Sequence, residues 1–260
     1  GQLNNKGLDL SLSAQIIRNK DWFWSMTLTG GHVMDQIRKI SQGLKNDIDN
    51  PYDSSKPKIL FVEGGSQYDI YAMRSAGIDP ATGKEIFIKK NGEYTFKYDE
   101  NERVAVGNTN PILQGSWMNT VRYKGFSISL ATSYTFGSDY YNSTLKNKVE
   151  NIDLDYNVDR RVFTDRWKQP GDHTRFLGIG TSSSSSQYSE RFVEKRNELY
   201  ISSIQVMYDF APKAITRLGL RKLAVGFGLS DIAHISTVKF ERGTDYPYCR
   251  GINLIFRPTF

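Results

Sequence analysis

Long segments in which apolar and polar residues alternate are the feature that most limits how this chain can fold. In Phe126–Gly137, the residues Phe, Ile, Leu, Thr, Tyr and Phe alternate with Ser, Ser, Ala, Ser and Thr. Alternation with a period of two predicts a β-strand with one apolar and one polar face. Six further segments have the same pattern: Gly7–Arg18, Trp22–His32, Leu113–Tyr123, Leu199–Phe210, Leu218–Ser230 and Arg250–Phe260.

The predicted strands are long for a soluble sheet. Strands of globular proteins usually have about 5–6 residues, whereas a tilted strand that crosses a bilayer needs about 9–11. The polar faces consist mainly of Ser, Thr, Gly and Gln. Aromatic residues lie near the ends of the apolar faces, as in the interfacial girdles of outer-membrane barrels. The predicted girdle residues are Trp22, Tyr134, Phe136, Tyr200, Tyr208, Phe210 and Phe260.

The connections between the predicted strands alternate strictly between short and long. The short ones are Asn19–Asp21, Lys124–Gly125 and Ala211–Arg217, and the long ones are the loops 33–111, 137–198 and 231–249. An up-and-down barrel places all short turns on one side and all long loops on the other. The sequence therefore predicts an all-β, antiparallel transmembrane β-barrel segment. A soluble β-sandwich that acts as a glycan-binding or adhesion module is the alternative.

Seven strands cannot close a wide barrel. In lipid, an open strand edge leaves backbone donors and acceptors unpaired, at a cost of several kcal/mol for each group. We therefore expect residues 1–260 to be the C-terminal part of one transmembrane barrel domain whose other strands precede Gly1. Within the first long loop, short strands are predicted at Lys58–Glu63, Lys84–Lys90 and Glu93–Tyr98, the last two joined at Asn91–Gly92.

The composition argues against several other classes. The mean hydropathy is −0.50, and no apolar run approaches the ~18 residues of a membrane-spanning helix, but barrel strands require no such run. The single cysteine, Cys249, cannot form a disulfide within the chain, and His32, His173 and His234 are too dispersed to predict a metal site. The net charge of +6 is scattered without a basic stripe, which argues against nucleic-acid binding. The sequence contains no recognisable catalytic triad or dinucleotide loop, so neither an enzyme nor a cofactor is predicted.

Several segments also match the motifs of a known family. Residues 71–84 read YAMRSAGIDPATGK, residues 107–126 read GNTNPILQGSWMNTVRYKGF, residues 158–174 read VDRRVFTDRWKQPGDHT and residues 189–193 read SERFV. In this order, and with a last strand that ends in Phe260, they resemble the C-terminal portion of the SusC/RagA family of TonB-dependent outer-membrane transporters from Bacteroidetes. The Arg-Trp-x-x-Pro-Gly-Asp segment is the most specific of these motifs.

This resemblance implies a location and a set of partners. It implies a cell outer-membrane barrel of about 22 strands, whose plug and N-terminal strands are not in this chain and whose loops face the exterior. The implied activity is active import of glycan fragments or peptides with a SusD-like surface lipoprotein, energised by TonB through the absent N-terminal part. The rest of the barrel and the lipid bilayer are the other implied contacts.

The last strand resembles a C-terminal assembly signal. Its outward residues would be read by the barrel-insertion machinery, and they are Ile252, Leu254, Phe256 and Phe260. A barrel fragment that is held as a client of an outer-membrane assembly machine is therefore a further alternative.

Six loop residues are candidates for substrate binding: Tyr68, Tyr71, Tyr140, Tyr141, Arg166 and Trp167. Aromatic rings can stack on sugars, and Arg and Trp are frequent anchors at interfaces. The alternative for the tyrosines is packing within the loops or the girdle. For Arg166 and Trp167, the alternative is that they pin one long loop against its neighbours through hydrogen bonds.

Two acidic groups contain residue types that would suit calcium. A solvated loop is the favoured interpretation of both, and no metal site is predicted. The groups are Asp47, Asp49, Asn50 and Asp53, and Asp153, Asp155 and Asp159.

Overall fold

The computed structural model describes residues 1–43, 60–153, 155, 157–180, 187–216, 219–239 and 250–260. In chain order, the strands of this part are β1 (Gln2–Arg18), β2 (Trp22–Lys39), β3 (Asp69–Ala72), β4 (Arg74–Ile78), β5 (Glu85–Ile88), β6 (Tyr94–Thr95), β7 (Val104–Asn108), β8 (Leu113–Tyr123), β9 (Phe126–Tyr141), β10 (Val193–Asp209), β11 (Lys222–Ser236) and β12 (Gly251–Thr259). Short helices lie at Ser143–Val149, Arg161–Thr164 and Pro212–Ile215, and 3-10 turns lie at Glu100–Glu102 and Glu190–Phe192. Within the described residues, no helix is both long and apolar enough to cross a membrane.

The long strands form one antiparallel sheet in the order β1-β2-β8-β9-β10-β11-β12. Consecutive long strands are neighbours in the sheet, so the chain runs up and down across it. The seven strands predicted from alternation are confirmed. They range from 9 residues in β12 to 18 in β2, and several extend beyond the predicted bounds.

The short turns follow from local chemistry. Between β1 and β2, the side-chain oxygen of Asn19 accepts hydrogen bonds from the backbone nitrogens of Asp21 at 3.1 Å and Trp22 at 2.7 Å. Between β8 and β9, Lys124 takes a left-handed conformation with φ of 51°, which closes the two-residue turn with Gly125. Because the strands alternate in direction, the short turns lie at one end of the sheet and the long loops at the other.

One face of the sheet is apolar and has no protein against it in the described part of the chain. Leu10, Leu254 and Phe256 are 68%, 87% and 67% exposed. A β-sandwich would bury such a face against a second sheet, and the described residues contain no sheet in that place. The arrangement is that of a sheet whose apolar side requires a non-aqueous surrounding.

Aromatic side chains gather on this apolar face near the short turns. The strand register sets Trp22 beside Tyr123 and Phe126 beside Tyr208. The ring centroids of these two pairs are 4.4 Å and 4.5 Å apart. Trp22 and Tyr208 of this row belong to the predicted girdle, and Tyr123 and Phe126 extend it.

One predicted girdle residue, Tyr200, lies on the opposite face. A β-bulge between Ile201 and Ser203 shifts the register of β10 against both of its neighbours. The additional residue reverses the alternation above it, so Tyr200 pairs with Ser133 and His234 on the polar face. The prediction for Tyr200 was wrong because uninterrupted alternation was assumed.

The opposite face carries small polar side chains that bond to one another. Ser13 and Thr27 have hydroxyl oxygens 3.2 Å apart, and those of Thr29 and Ser116 are 2.8 Å apart. Cross-strand hydroxyl pairs of this kind stabilise neighbouring strands. They also keep the face hydrophilic, as the lumen of a barrel requires.

The long loops fold into a cap at the end of the sheet opposite the short turns. In this loop cap, β3 pairs with β7, and β4, β5 and β6 form a three-stranded sheet. The cap has its own apolar core, made of Ile70, Tyr141, Leu145, Val149, Phe176 and Phe192.

The hairpin predicted at Asn91–Gly92 is confirmed, because Lys89 and Glu93 pair across it and Gly92 has a φ of 91°. The strand predicted at Lys58–Glu63 is wrong for residues 60–63, which are not in a strand, and Lys58 and Ile59 lie outside the described residues.

Because Gly30 and Gly115 have no side chains, the side chain of Tyr134 can lie flat across the apolar face of the sheet. The Tyr134 hydroxyl donates to the carbonyl oxygen of Thr29 at 2.7 Å, passing over Gly30 and Gly115. A Cβ added at Gly115 would lie 1.9 Å from the Thr29 oxygen and 2.7 Å from the Tyr134 hydroxyl. The two glycines and the tyrosine therefore form one packing unit.

We predict that Gly115→Ala destabilises the assembled protein by about 1–3 kcal/mol, the usual cost of overpacking. Gly228→Ala is the matched control, because a Cβ there would meet its nearest atom at 3.8 Å, an ordinary contact. Urea unfolding of the full-length protein in lipid vesicles measures both. Equal unfolding midpoints for the two variants would contradict the packing unit.

Candidate functional site

The Asp-Pro-Ala-Thr-Gly segment of the loop cap is a rigid turn. The Asp79 carboxylate accepts hydrogen bonds from the Ala81 nitrogen at 3.2 Å and the Thr82 hydroxyl at 2.6 Å. The Gly83 nitrogen donates to the Asp79 carbonyl oxygen at 2.8 Å. The hydrogen bond from Thr82 also lowers the pKa of Asp79. The turn leaves the Pro80 carbonyl oxygen free to accept bonds from another loop.

Trp167 is bound to this turn. Its indole nitrogen donates to the Pro80 oxygen at 2.9 Å, and the Gly171 nitrogen donates to the same oxygen at 2.9 Å. The indole ring lies on Gly83, where an added Cβ would be 2.4 Å from the ring. Only glycine allows this contact, and its φ of 68° also favours glycine. The Asp-Pro-Ala-Thr-Gly turn and the Arg-Trp-x-x-Pro-Gly-Asp segment therefore bind each other.

Arg166 is buried and bonds only to backbone oxygens among its described partners. Its guanidinium donates to Leu177 at 2.7 Å, Gly178 at 3.0 Å, Val149 at 3.1 Å and Glu150 at 3.5 Å. Burial lowers the pKa of Arg166, and the nearby Glu150 carboxylate opposes that effect. The side chain joins the end of the helix Ser143–Val149 to the strand-like residues near Phe176.

Arg191 is the centre of a buried ion network that sequence reasoning did not find. Its guanidinium donates to the Glu85 carboxylate at 2.9 Å and to the Glu150 carboxylate at 2.8 and 3.0 Å. The side chains of Arg191, Glu85 and Glu150 are 5%, 3% and 0% exposed. Burial lowers the pKa of Arg191, but the hydrogen bonds from its guanidinium to Glu150 and Glu85 raise it overall.

This network joins segments that are distant in sequence. Glu85 belongs to β5, Glu150 follows the helix Ser143–Val149, and Arg191 lies in the Ser-Glu-Arg-Phe-Val motif. The available signals were an acidic residue at the start of a short strand and an arginine inside a family motif. Neither signal identifies its partner, because the three residues are brought together only by folding.

The tyrosine candidates occupy different surroundings. Tyr141 is only 8% exposed and stacks on Tyr188 with ring centroids 3.9 Å apart. Tyr140 and Tyr71 are half-buried, and Tyr68 is 41% exposed. Burial, together with the Asp69 carboxylate, raises the pKa of Tyr71.

Tyr68 and Tyr71 belong to the β3–β7 unit of the cap, which Asp139 fastens to the long sheet. The Asp139 carboxylate accepts from the Asn108 nitrogen at 2.8 Å and forms an ion pair with Lys195 at 2.7 Å. The structure thus brings Tyr68 and Tyr71 together in one unit and Arg166 and Trp167 together in another.

The acidic group Asp153, Asp155 and Asp159 forms its hydrogen bonds and ion pair within its own loop. The Asp153 carboxylate accepts from the Asp155 nitrogen at 3.0 Å, and Asp159 pairs with Arg161 at 2.7 Å. The hydrogen bond from Arg161 lowers the pKa of Asp159 to about 2. Over the described residues, no group of three or more His, Cys, Asp or Glu side chains is placed to hold a metal ion. The other acidic group, Asp47, Asp49, Asn50 and Asp53, lies outside the described residues.

Comparison with known proteins shows what this combination of sheet and cap is similar to. No protein-family model matches the chain. The TonB-dependent receptor P39 of Formosa agariphila is 23% identical over 277 aligned residues, which cover 89% of this chain and 26% of that protein. In sequence, the chain is therefore similar to part of a TonB-dependent receptor. The TonB-dependent receptor P3 of the same organism is 24% identical over 56% of the chain and 16% of its own length.

Solved structures show the same fold. The RagAB peptide transporter superposes with a TM-score of 0.72 at 18% identity, over 91% of this chain and 26% of the other. The RagAB peptide importer in its 'open-open' state gives a TM-score of 0.72 at 20% identity. The seven-stranded sheet therefore has the same fold as part of that transporter chain, and the resemblance read from the motifs is confirmed by the two comparisons. The chain spans about a quarter of the length of P39 and of the RagAB chain.

We predict that Glu150→Gln destabilises the loop cap by about 3–5 kcal/mol, because breaking a buried ion network leaves charge uncompensated. The exposed pair Lys89–Glu93 provides the control, since surface ion pairs contribute little, so Glu93→Gln should leave the melting temperature unchanged. Limited proteolysis of the cap and thermal unfolding of the full-length protein measure both. A Glu150→Gln protein as resistant as the parent would refute the structural role of the network.

We predict that Trp167→Phe loosens the contact between the two motif loops. Phenylalanine keeps an aromatic ring but has no N–H group that could donate to the Pro80 carbonyl oxygen. The expected loss of stability is about 1 kcal/mol, the usual net value of one hydrogen bond. Comparing the cap's melting temperature with substrate uptake separates structure from recognition. A selective uptake defect at unchanged stability would favour a direct substrate contact by Trp167.

Proposed function

We propose that this chain forms part of the wall and the outer loop cap of a TonB-dependent transporter in the cell outer membrane. The main observation in support of this proposal is that the apolar face of the sheet is uncovered and is bounded by rows of aromatic side chains. Phe126 lies in the row near the short turns, and Phe136 stacks with Tyr134 near the loop cap. Lipid is the surrounding in which such a face is stable.

The spacing of the aromatic rows supports this proposal. Phe126 and Phe136 are ten residues apart on β9, which corresponds to about 33 Å along an extended strand. At the usual strand tilt of ~40°, this becomes about 25 Å along the membrane normal, close to the height of the apolar band of outer-membrane barrels. A soluble β-sandwich has no reason for such a spacing.

The edges of the sheet support a larger barrel. In the described residues, β1 and β12 each pair with a single neighbour, and unpaired edges are not tolerated in lipid. We propose that residues 1–260 are the C-terminal part of the barrel domain, with further strands that pair with both edges and a plug in the lumen. A fragment that is held by an assembly machine would satisfy the same edges with another protein.

The proposed activity is active import of oligomeric nutrients, glycan fragments or peptides, rather than catalysis. TonB would act through the plug, and a SusD-like lipoprotein would cover the exterior loops. The pairing of RagA with a second protein in the RagAB peptide transporter supports such a partner. Tyr68 and Tyr140 are the proposed substrate contacts, because their side chains are exposed or half-buried. Tyr71 and Trp167 line the same cap, and Tyr141 and Arg166 would position it from within.

The last strand is the proposed assembly signal for the barrel-insertion machinery. Ile252, Leu254 and Phe256 all project from the apolar face, and Phe260 is 79% exposed at the end of the chain. Deleting Phe260 should lower the yield of inserted full-length protein while leaving its synthesis unchanged. A normal yield in the outer-membrane fraction would refute this role.

We predict that an arginine on the lipid side of β9 prevents insertion, whereas one on the lumen side does not. Leu130→Arg should cost about 2–4 kcal/mol near the bilayer midplane. Ser129→Arg is the matched control, because Ser129 is the preceding residue and lies on the polar face. Heat-modifiable gel mobility of the full-length protein measures insertion, and uptake with and without TonB measures function. Equal insertion of the two variants would contradict the membrane orientation.

A further inference from the structure

The end of the sheet that carries the short turns is strongly basic. It consists of residues 18–22, 122–125, 209–216, 219–222 and 257–260. These segments contain eight Lys and Arg residues but only two Asp residues and no Glu. Among the residues that the structure describes, none of the eight cations forms an ion pair. The positive charge at this end is therefore not neutralised within the described part of the chain.

Four of these cations lie on the polar face, where a plug in the lumen would cover them. The register places Arg122 opposite Phe23, and its guanidinium carbon lies 4.9 Å from the centroid of that ring. The other cations at polar-face positions are Arg18, Lys222 and Arg257. The remaining four lie in the connections between strands, and they are Lys20, Lys124, Lys213 and Arg221.

Lys124 lies at the margin of the apolar face. Its Nζ is 5.2 Å from the centroid of the Tyr123 ring, and Tyr123 packs against Trp22 in the aromatic row of that face. Lys124 connects β8 and β9, which are the third and fourth of the seven strands in the sheet. Neither a plug in the lumen nor further strands at the sheet edges would therefore cover this cation.

The turn holds a lysine at a position where glycine is preferred. Lys124 has a φ of 51°, and a non-glycine residue in this region costs free energy. The neighbouring glycine is needed where it is, because a Cβ at Gly125 would lie 2.7 Å from the Asp209 carbonyl oxygen. Strained residues of this kind concentrate at functional sites. The strain at Lys124 therefore indicates a role for its side chain.

Backbone hydrogen bonds fix the short turns beside one another. The Lys124 nitrogen donates to the Asp21 carbonyl oxygen at 2.9 Å, which joins this turn to the one that contains Lys20. The Asp209 nitrogen donates to the Gly125 carbonyl oxygen at 2.8 Å. Lys20 and Lys124 are thus held in adjoining turns, just beyond the row of interfacial aromatic rings.

This placement favours the head group of an anionic phospholipid. Basic residues close to a membrane surface attract anionic lipids, and lysine binds phosphate as a point charge. A zwitterionic head group carries a cation of its own, which lysines repel. A partner in the aqueous phase would instead meet cations that project away from the membrane, whereas Lys124 lies against a ring of the aromatic row.

We propose that Lys20 and Lys124, beside Trp22 and Tyr123, form a binding site for an anionic phospholipid at the short-turn side of the membrane. The two lysines pair with its phosphate, and the two rings contact its glycerol and the upper part of its acyl chains. This site rests on the proposed membrane orientation of the sheet. It adds a preference for lipid charge at one end of the sheet.

The test follows lipid contact with the full-length protein in phosphatidylcholine vesicles. One sample contains a trace of photoreactive phosphatidylglycerol, and the other contains a trace of photoreactive phosphatidylcholine with the same acyl chains. After illumination, peptide mass spectrometry measures the labelling of residues 19–25 and 122–128. In the parent, the phosphatidylglycerol probe should label them about twentyfold more, since each lysine near a membrane surface contributes about fivefold.

The double variant Lys20→Gln with Lys124→Gln should be labelled about equally by the two probes. Lys124→Arg retains the charge and should retain the preference. Lys6→Gln is the matched control, because it removes the same charge from the apolar-face row of β1 at the loop end of the sheet. It should leave labelling at the short turns unchanged, and heat-modifiable gel mobility shows that every variant is inserted.

Equal labelling of the parent by both probes, or an unchanged preference in the double variant, would overturn the proposal. Binding of the parent to purified peptidoglycan that the double variant loses, at unchanged lipid labelling, would identify a partner in the aqueous phase instead. If neither probe labels the short turns, this end does not lie at a membrane surface and the proposed function fails as well. Equal labelling by both probes removes only the preference for anionic lipid.

Discussion

The pairing of backbone donors and acceptors across seven long strands is the constraint on which the rest of this structure depends. A strand can present an apolar face to a non-aqueous surrounding only if its peptide groups are satisfied by its neighbours. The ladders that join β1 to β12 meet this requirement between neighbouring strands, with local register shifts such as the bulge in β10. Every other feature, from the aromatic rows to the loop cap, is placed by the register of these ladders.

The sheet and the cap are stabilised in different ways. The apolar side chains of the sheet are exposed on its outer face, so burial in a hydrophobic core does not stabilise the sheet. The cap instead encloses Val149 and Phe192, both 0% exposed, beside the buried pair of Arg191 and Glu150. A buried ion network is a weak source of net stability but a strong determinant of which segments meet. Because the two parts are stabilised differently, a cap suited to water can be joined to a sheet suited to lipid.

The family motifs acquire a physical meaning in the cap. The glycine of Asp-Pro-Ala-Thr-Gly is required because the Trp167 ring occupies the space of a side chain. The proline carbonyl of the same turn binds the indole and the Pro-Gly-Asp loop together. Motifs that are nearly ninety residues apart in the chain are thus two halves of one contact.

The sequence by itself determined the number of long strands, their two faces, and the separation of short turns from long loops. Those properties depend on period-two alternation and local turn chemistry, which are written in neighbouring residues. Only the tertiary structure decided that Tyr200 faces the lumen, because one additional residue in β10 is visible only against the register of its partners. It also decided that Glu85, Glu150 and Arg191 meet, and that Tyr141 and Arg166 are buried. These outcomes depend on contacts between distant segments, and no local pattern specifies which distant residues will pair.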